Sequence, residues 1–180
     1  YVPSNQALKI WEKIISFGKE FGLMPYGTET MHLLRAEKGY IIVGQDTDGS
    51  ITPLDLGLDW MIGKSKKDFL GKRSLIRSDT VRKDRKQLVG ILPTNKNEKL
   101  EEGQHIILDK EIKTPTPMLG HITSCYQSPT LGHNFALAVI KNGQSLIGTK
   151  AFASTPELKT IEVEIVEPIF YDKENTKLAS

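Results

Sequence analysis

Apolar residues recur near the 3.6-residue period at Leu8, Trp11, Ile14, Ile15 and Phe21, with Lys9, Glu12, Lys13, Lys19 and Glu20 mostly on other faces. This predicts an opening amphipathic helix, capped by Ser4 and ended by Gly22 and then Pro25. A second helix is predicted from near Thr28 to Gly39, carrying Met31, Leu34 and Ala36. Glu29 in its first turn and Lys38 in its last suit the two poles of the helix dipole. The short apolar run Tyr40-Ile41-Ile42-Val43 leads into a turn-rich segment, 44–50. Beyond Thr52-Pro53, residues Leu54, Leu56, Leu58, Trp60 and Ile62 alternate as a half-buried strand should. The polar stretch 68–75 reads as a short surface helix.

From residue 87 onward the period becomes strand-like. Apolar segments at 87–92, 105–108, 120–124, 135–140 and 161–166 are separated by Gly, Pro and Asn turns. Five or six short strands at this spacing predict a small antiparallel barrel or sandwich. The fold class expected is therefore α+β: the remnant of an α/β domain over residues 1–80, followed by a small antiparallel β-barrel domain over 81–180. The opening Tyr1-Val2-Pro3-Ser4 has no initiator Met, basic region or apolar leader, and reads like the tail of a strand cut from a longer chain.

The chain has 180 residues, 38% hydrophobic and 26% charged, which excludes a disordered or collagen-like chain. No apolar run reaches the roughly 18 residues of a membrane span. A net charge of +2 does not indicate a nucleic-acid binder. Its distribution is uneven, since Lys64 to Lys86 holds ten basic residues against three acidic ones. Within that stretch Ser78 to Arg85 reads as a linker, solvated or attracting an anionic partner, and only Phe69 interleaves the charges with an aromatic ring. The one cysteine, Cys125, fits a reducing compartment.

The loop from Gly44 to Asp55 places Asp46, Asp48 and Gly49 at calcium-loop positions three, five and six, and Asp55 at twelve. However, Gly44 replaces the leading Asp, the final Glu is missing, and Pro53 sits where the exiting helix should start. A turn solvated by its own aspartates is the better reading. His32, His105, His121 and His133 show no metal-ligand spacing. His121 and Cys125, four apart in a strand, fall on one face about 13 Å apart, too far for a nucleophile–base pair. No G-x-G-x-x-G, Walker or G-x-S-x-G motif occurs, so no catalytic residue and no metal ligand is assigned. Tyr40 and Trp60 stand at element ends beside turns, where large rings serve either as core or as a grip on a flat heterocycle.

The run Gly27-Thr-Glu-Thr-Met-His-Leu-Leu-Arg-Ala-Glu-Lys-Gly-Tyr40, with Gly44-Gln-Asp, Thr52-Pro53, Gly57-Leu-Asp-Trp60 and Asp68-Phe-Leu-Gly-Lys72, resembles the aminomethyltransferase (glycine-cleavage T-protein) superfamily. Gly120-His-Ile-Thr-Ser124 and Ser128-Pro-Thr-Leu-Gly132 resemble the signature of its C-terminal β-barrel. Within the superfamily the wording is most similar to α subunits of heterotetrameric sarcosine oxidases. The resemblance implies a cytoplasmic oxidase fragment, the closing part of a folate-binding region with its barrel, inactive alone. Tetrahydrofolate would take up the one-carbon unit released from sarcosine as 5,10-methylenetetrahydrofolate. FAD, FMN and NAD would belong to the whole enzyme and the partners would be its other subunits, with no nucleic acid and no membrane. A structural and subunit-contact module of the same oxidase, or an aminomethyltransferase-like folate-dependent protein, is the alternative.

The same resemblance places the family's folate-lining Tyr, three positions after the motif Glu, on Tyr40, and the Trp of Gly-Leu-x-Trp on Trp60. An Arg that helps hold the folate tail, six positions before that Glu, is replaced by Met31. The family's catalytic Asp and pterin-anchoring Glu fall upstream of Tyr1. Arg35 and Glu37 match the motif, with a helix-end role and a ligand role both open.

Overall fold

The computed structural model describes residues 1–112 and 114–177. By its internal contacts the chain divides into two units, Tyr1–His32 and Leu33–Ser180.

In the first unit a 3₁₀ turn, Ser4–Gln6, runs into helix α1, Ala7–Gly18, and a second 3₁₀ turn, Lys19–Phe21. Ser4 lies inside the opening turn and makes no capping hydrogen bond, so the expected N-cap is not formed. The end is as expected: Gly22 adopts a left-handed φ of 69°, and Leu23 N–H donates to the Gly18 carbonyl at 2.9 Å. No residue of α1 is buried. Helix α2, Thr28–Glu37, begins in this unit and ends in the second.

The second unit is built on a closed antiparallel barrel of six strands: β1 Lys86–Pro93, β2 His105–Ile107, β3 Gly120–Ser128, β4 His133–Lys141, β5 Lys150–Ser154 and β6 Thr160–Val166. Their order is β1-β4-β3-β2-β5-β6, with β6 returning to β1. Closure removes free sheet edges. Strand β5 is the one the pattern missed, because its Lys-Ala-Phe-Ala-Ser carries only small apolar residues and one ring.

Strand β4 shows how the alternation builds two cores. Ala136, Ala138 and Ile140 face the barrel interior with Val89, Ile91, Ile106, Ile122, Val163 and Ile165. Phe135, Leu137 and Val139 face outward against Leu88 and Ala36 of α2, with Ile41, Leu56 and Phe170 packed around them. Small alanines on the inner face leave room for the larger side chains of the neighbouring strands. Gly120 allows β3 to approach β4 closely, since a Cβ there would lie 2.0 Å from the Val139 carbonyl oxygen. Gly120→Ala is expected to cost about 1–3 kcal/mol, read as a lower urea midpoint at unchanged slope.

The segment before the barrel departs from expectation. Residues 54–62 form two 3₁₀ turns, Pro53–Leu56 and Asp59–Met61, not a strand. Pro53 has no N–H to give a ladder, Thr52 and Asp55 close a capping box around it, and Gly57 turns the chain out at φ 70°. The expected surface helix over 68–75 is reduced to a 3₁₀ helix, Lys72–Ile76.

Candidate functional site

The end of α2 is fixed to the barrel by charge. Arg35, in the last turn of α2, donates from Nη1 to Asp46 Oδ2 at 2.5 Å and to the Tyr40 carbonyl at 3.1 Å. Its Nη2 donates to Ser124 Oγ at 2.8 Å and Tyr126 Oη at 3.2 Å, with the guanidinium 5.7 Å from the Tyr126 ring centroid. Arg35 Nε is buried and has no hydrogen-bond partner among the described residues. Asp46 is 1% exposed and accepts four hydrogen bonds. Arg35 and the Ile42 N–H (2.8 Å) serve Oδ2, while the hydroxyls of Thr123 (2.5 Å) and Ser124 (2.6 Å) serve Oδ1. The solvated-turn reading thus fails for Asp46, although it describes the exposed Asp48, which accepts from the Ser50 N–H and hydroxyl within its own turn.

Two consecutive strand residues reach one carboxylate oxygen because β3 carries a bulge. Ile122 opposes Ala138 and Ser124 opposes Leu137, so Thr123 is the extra residue. The bulge also overturns the one-face reading of His121 and Cys125. His121 opposes outward-facing Val139, whereas Cys125 opposes inward-facing Ala136 and packs against the interior cluster. Burial foremost, then the Glu102 carboxylate, pushes the Cys125 thiol up to about 11, so it stays protonated at neutral pH.

Glu37 is 2% exposed and its Oε1 accepts from Ser128 Oγ at 2.6 Å. Its carbonyl accepts from the N–H groups of Phe170 and Tyr171, tying the chain's last segment to the end of α2. Arg35 and Glu37 therefore hold the helix end in place, the first of their two open roles.

A second buried ion pair orders the segment that follows. Arg85 Nε and Nη2 donate to both Asp55 oxygens at 2.6–3.1 Å, and Nη2 also reaches the Ser50 carbonyl. Residues 81–84 are exposed, as expected of a solvated linker, but Arg85 at its end is 8% exposed and serves as a buried anchor. Within that stretch Arg82 pairs with Asp79 and Asp84, and Lys72 Nζ caps the Lys67 carbonyl.

The segment 41–75 also encloses an open, mostly apolar basin of about 710 Å³, walled by residues such as Ile41, Val43, Ile51, Leu58, Met61 and Phe69. Its size falls in the range of small-molecule sites. Tyr40 and Trp60 immediately precede two wall residues, Ile41 and Met61, but their own rings are not among the walls. Both rings are exposed, Tyr40 by 57% and Trp60 by 71%. Sequence reasoning found these rings but missed the basin, because its walls come from turns that carry no periodic signature. Among the described residues no group of three or more His, Cys, Asp or Glu side chains could hold a metal ion, and no helix is long and apolar enough to cross a membrane.

The family model of the GCVT N-terminal domain matches residues 1–66, and that of the glycine cleavage T-protein C-terminal barrel domain matches residues 86–172. The chain belongs to the aminomethyltransferase superfamily. Over 98% of its length it is 47% identical to sarcosine oxidase subunit alpha of Corynebacterium sp. (strain P-1) and 34% identical to that of Rhizobium meliloti (strain 1021), spanning 18% of each relative. It is 31% identical to aminomethyltransferase of Thermoanaerobacter pseudethanolicus, spanning 46% of it. The chain thus spans less than half the length of these superfamily relatives. Among solved structures, aminomethyltransferase T of the glycine cleavage system from Bartonella henselae superimposes with a TM-score of 0.77 at 20% identity, over 96% of this chain and 45% of that one. That likeness shows the shared aminomethyltransferase fold.

Proposed function

We propose that the chain is the C-terminal folate-binding region of a sarcosine oxidase α subunit. It helps tetrahydrofolate take up, as 5,10-methylenetetrahydrofolate, the one-carbon unit released by oxidative demethylation of sarcosine. On this reading residues 1–80 close the folate-binding domain and 81–180 are its barrel partner. The whole enzyme is cytoplasmic, works with its other subunits in a heterotetramer, and binds FAD, FMN and NAD elsewhere. Residues 1–180 by themselves turn over no sarcosine.

The observation that carries the reading is the apolar basin flanked in sequence by two exposed rings, in a chain similar to sarcosine oxidase α subunits over nearly its full length. A flat heterocycle buries its faces against apolar walls such as Ile41 and Met61, and the exposed rings of Tyr40 and Trp60, one position before each, are the aromatic surfaces next to them in the chain. These residues bind and orient; they transfer no proton.

Titrating tetrahydrofolate against the assembled oxidase tests this. Tyr40→Ala is expected to weaken binding about tenfold, equivalent to ~1.4 kcal/mol, and Trp60→Ala by less. Equal affinities for wild type and both variants would remove the rings from the site.

A further inference from the structure

On the outer face of the barrel the strand register brings four basic side chains together. Lys86 on β1 stands directly opposite Lys141 on β4, and His105 on β2 stands directly opposite His121 on β3. Lys86 shares the outward parity of Leu88, and His121 opposes Val139, so all four lie on the same side of the sheet. They line one cleft of about 390 Å³ together with Gly103, Met118, Leu119 and Gly120. At ~30 Å³ per water this is room for about a dozen waters.

Like charges directly opposite one another weaken a sheet. Here one such pair, Lys86 and Lys141, sits beside a pair of imidazoles, and among the described residues none of the four side chains has an ion pair or hydrogen bond. The carboxylate that acts on the cleft is Asp48, which attracts both Lys86 and His121 but is already committed to the Ser50 N–H and hydroxyl. Two lysines and two imidazoles around one concave space, answered only in part by a carboxylate committed to Ser50, leave a net positive field there.

We propose that this cleft binds a small multivalent anion, with phosphate or carboxylate groups, held by Lys86 and Lys141 and by the imidazoles of His105 and His121. Burial foremost, and then the charges of Lys86 and His105, hold His121 below its ordinary value, so it is largely neutral in the free protein at pH 7. A bound anion favours the imidazolium, so occupancy raises the pH at which His121 titrates, and protonation of His121 in turn tightens binding. The proposal is independent of the folate reading, because no cleft residue lines the basin.

The test is a titration of the 180-residue chain with inorganic pyrophosphate and, separately, with citrate, against sodium chloride at matched ionic strength, following the imidazole proton resonances. Saturable shifts of His121 and His105 are expected, with an upward move of the His121 titration midpoint. Lys141→Gln should weaken binding at least fivefold and Lys86→Gln/Lys141→Gln at least twentyfold, with the circular dichroism spectrum unchanged. Tighter binding of pyrophosphate would assign the site to phosphate-bearing ligands, and tighter binding of citrate to polycarboxylates. Shifts that do not saturate, that chloride reproduces, or that persist undiminished in Lys141→Gln would overturn the proposal.

Discussion

Asp46→Asn is expected to destabilise the barrel unit by about 3–5 kcal/mol, the scale for breaking a buried ion pair from one side. The amide keeps the volume of the carboxylate but can accept at only one oxygen, whereas the site directs donors at both. On Oδ2 the donors are the Arg35 guanidinium and the Ile42 N–H, and on Oδ1 two hydroxyls. Either orientation of the amide points an N–H₂ at existing donors, and the Arg35 charge is left without its partner. Thr123 and Ser124 can rotate their hydroxyls away; Arg35 and the Ile42 backbone cannot. Removing both charges in Arg35→Met/Asp46→Asn should therefore recover part of the loss. Urea unfolding followed by far-ultraviolet circular dichroism, with the slope compared between variants, measures all three. A loss below about 1 kcal/mol in the single variant would mean that Asp46 is not what joins the end of α2 to the barrel.

The contrast between what the residues announced and what they withheld follows from range. Strands β1, β2, β3, β4 and β6 were legible because alternation is a local property, and the glycine and proline turns between them are local as well. The short α2 was legible from Glu29 and Gly39 at its ends. What could not be read was any feature made by two distant segments. Asp46 looks like a turn residue until Thr123 and Ser124, 77 and 78 positions later, supply hydroxyls to it. Arg85 looks like one more cation in a basic stretch until Asp55 meets it 30 residues back. The four residues of the anion cleft lie on four strands, and only the register of the closed barrel brings them together. For Leu54 to Ile62 the alternating pattern was present but was overruled by backbone chemistry, since Pro53 and Gly57 favour a capped 3₁₀ turn. The rings at Tyr40 and Trp60 were visible from the start, because large exposed aromatics beside turns stand out without any partner. The basin beside them was not, since turns give it most of its walls.

The second large effect is expected at Asp55, and it should depend on pH. Burial opposes ionisation of this carboxyl most strongly. The hydrogen bonds from Arg85 and from the Thr52 N–H and hydroxyl, with the Arg85 charge, together outweigh burial and hold Asp55 below the ordinary carboxylate range. The same contact, led by the hydrogen bond to Asp55, raises the Arg85 guanidinium further, so Arg85 stays charged at every accessible pH. A carboxyl whose value is lower in the folded than in the unfolded chain stabilises the fold at pH values above its unfolded value, ~3.9. That contribution fades as the pH falls through the lower, folded value. Asp55→Asn should therefore cost about 3–5 kcal/mol at pH 7, because it leaves a buried Arg85 with an amide at its main partner's place and only the exposed Asp79 carboxylate, 3.3 Å from Nη1, as counter-charge. The difference from wild type should stay constant down to about pH 5 and narrow only below about pH 4, as wild type begins to protonate. Asp55→Glu keeps the charge but overfills a capping box closed by Thr52, and should fall between the two. Chemical denaturation of the three proteins at intervals between pH 3 and 7 gives the curves. A gap that narrowed already between pH 7 and 5 would show that Asp55 is not the main partner of Arg85, beside the exposed Asp79 carboxylate 3.3 Å from its Nη1.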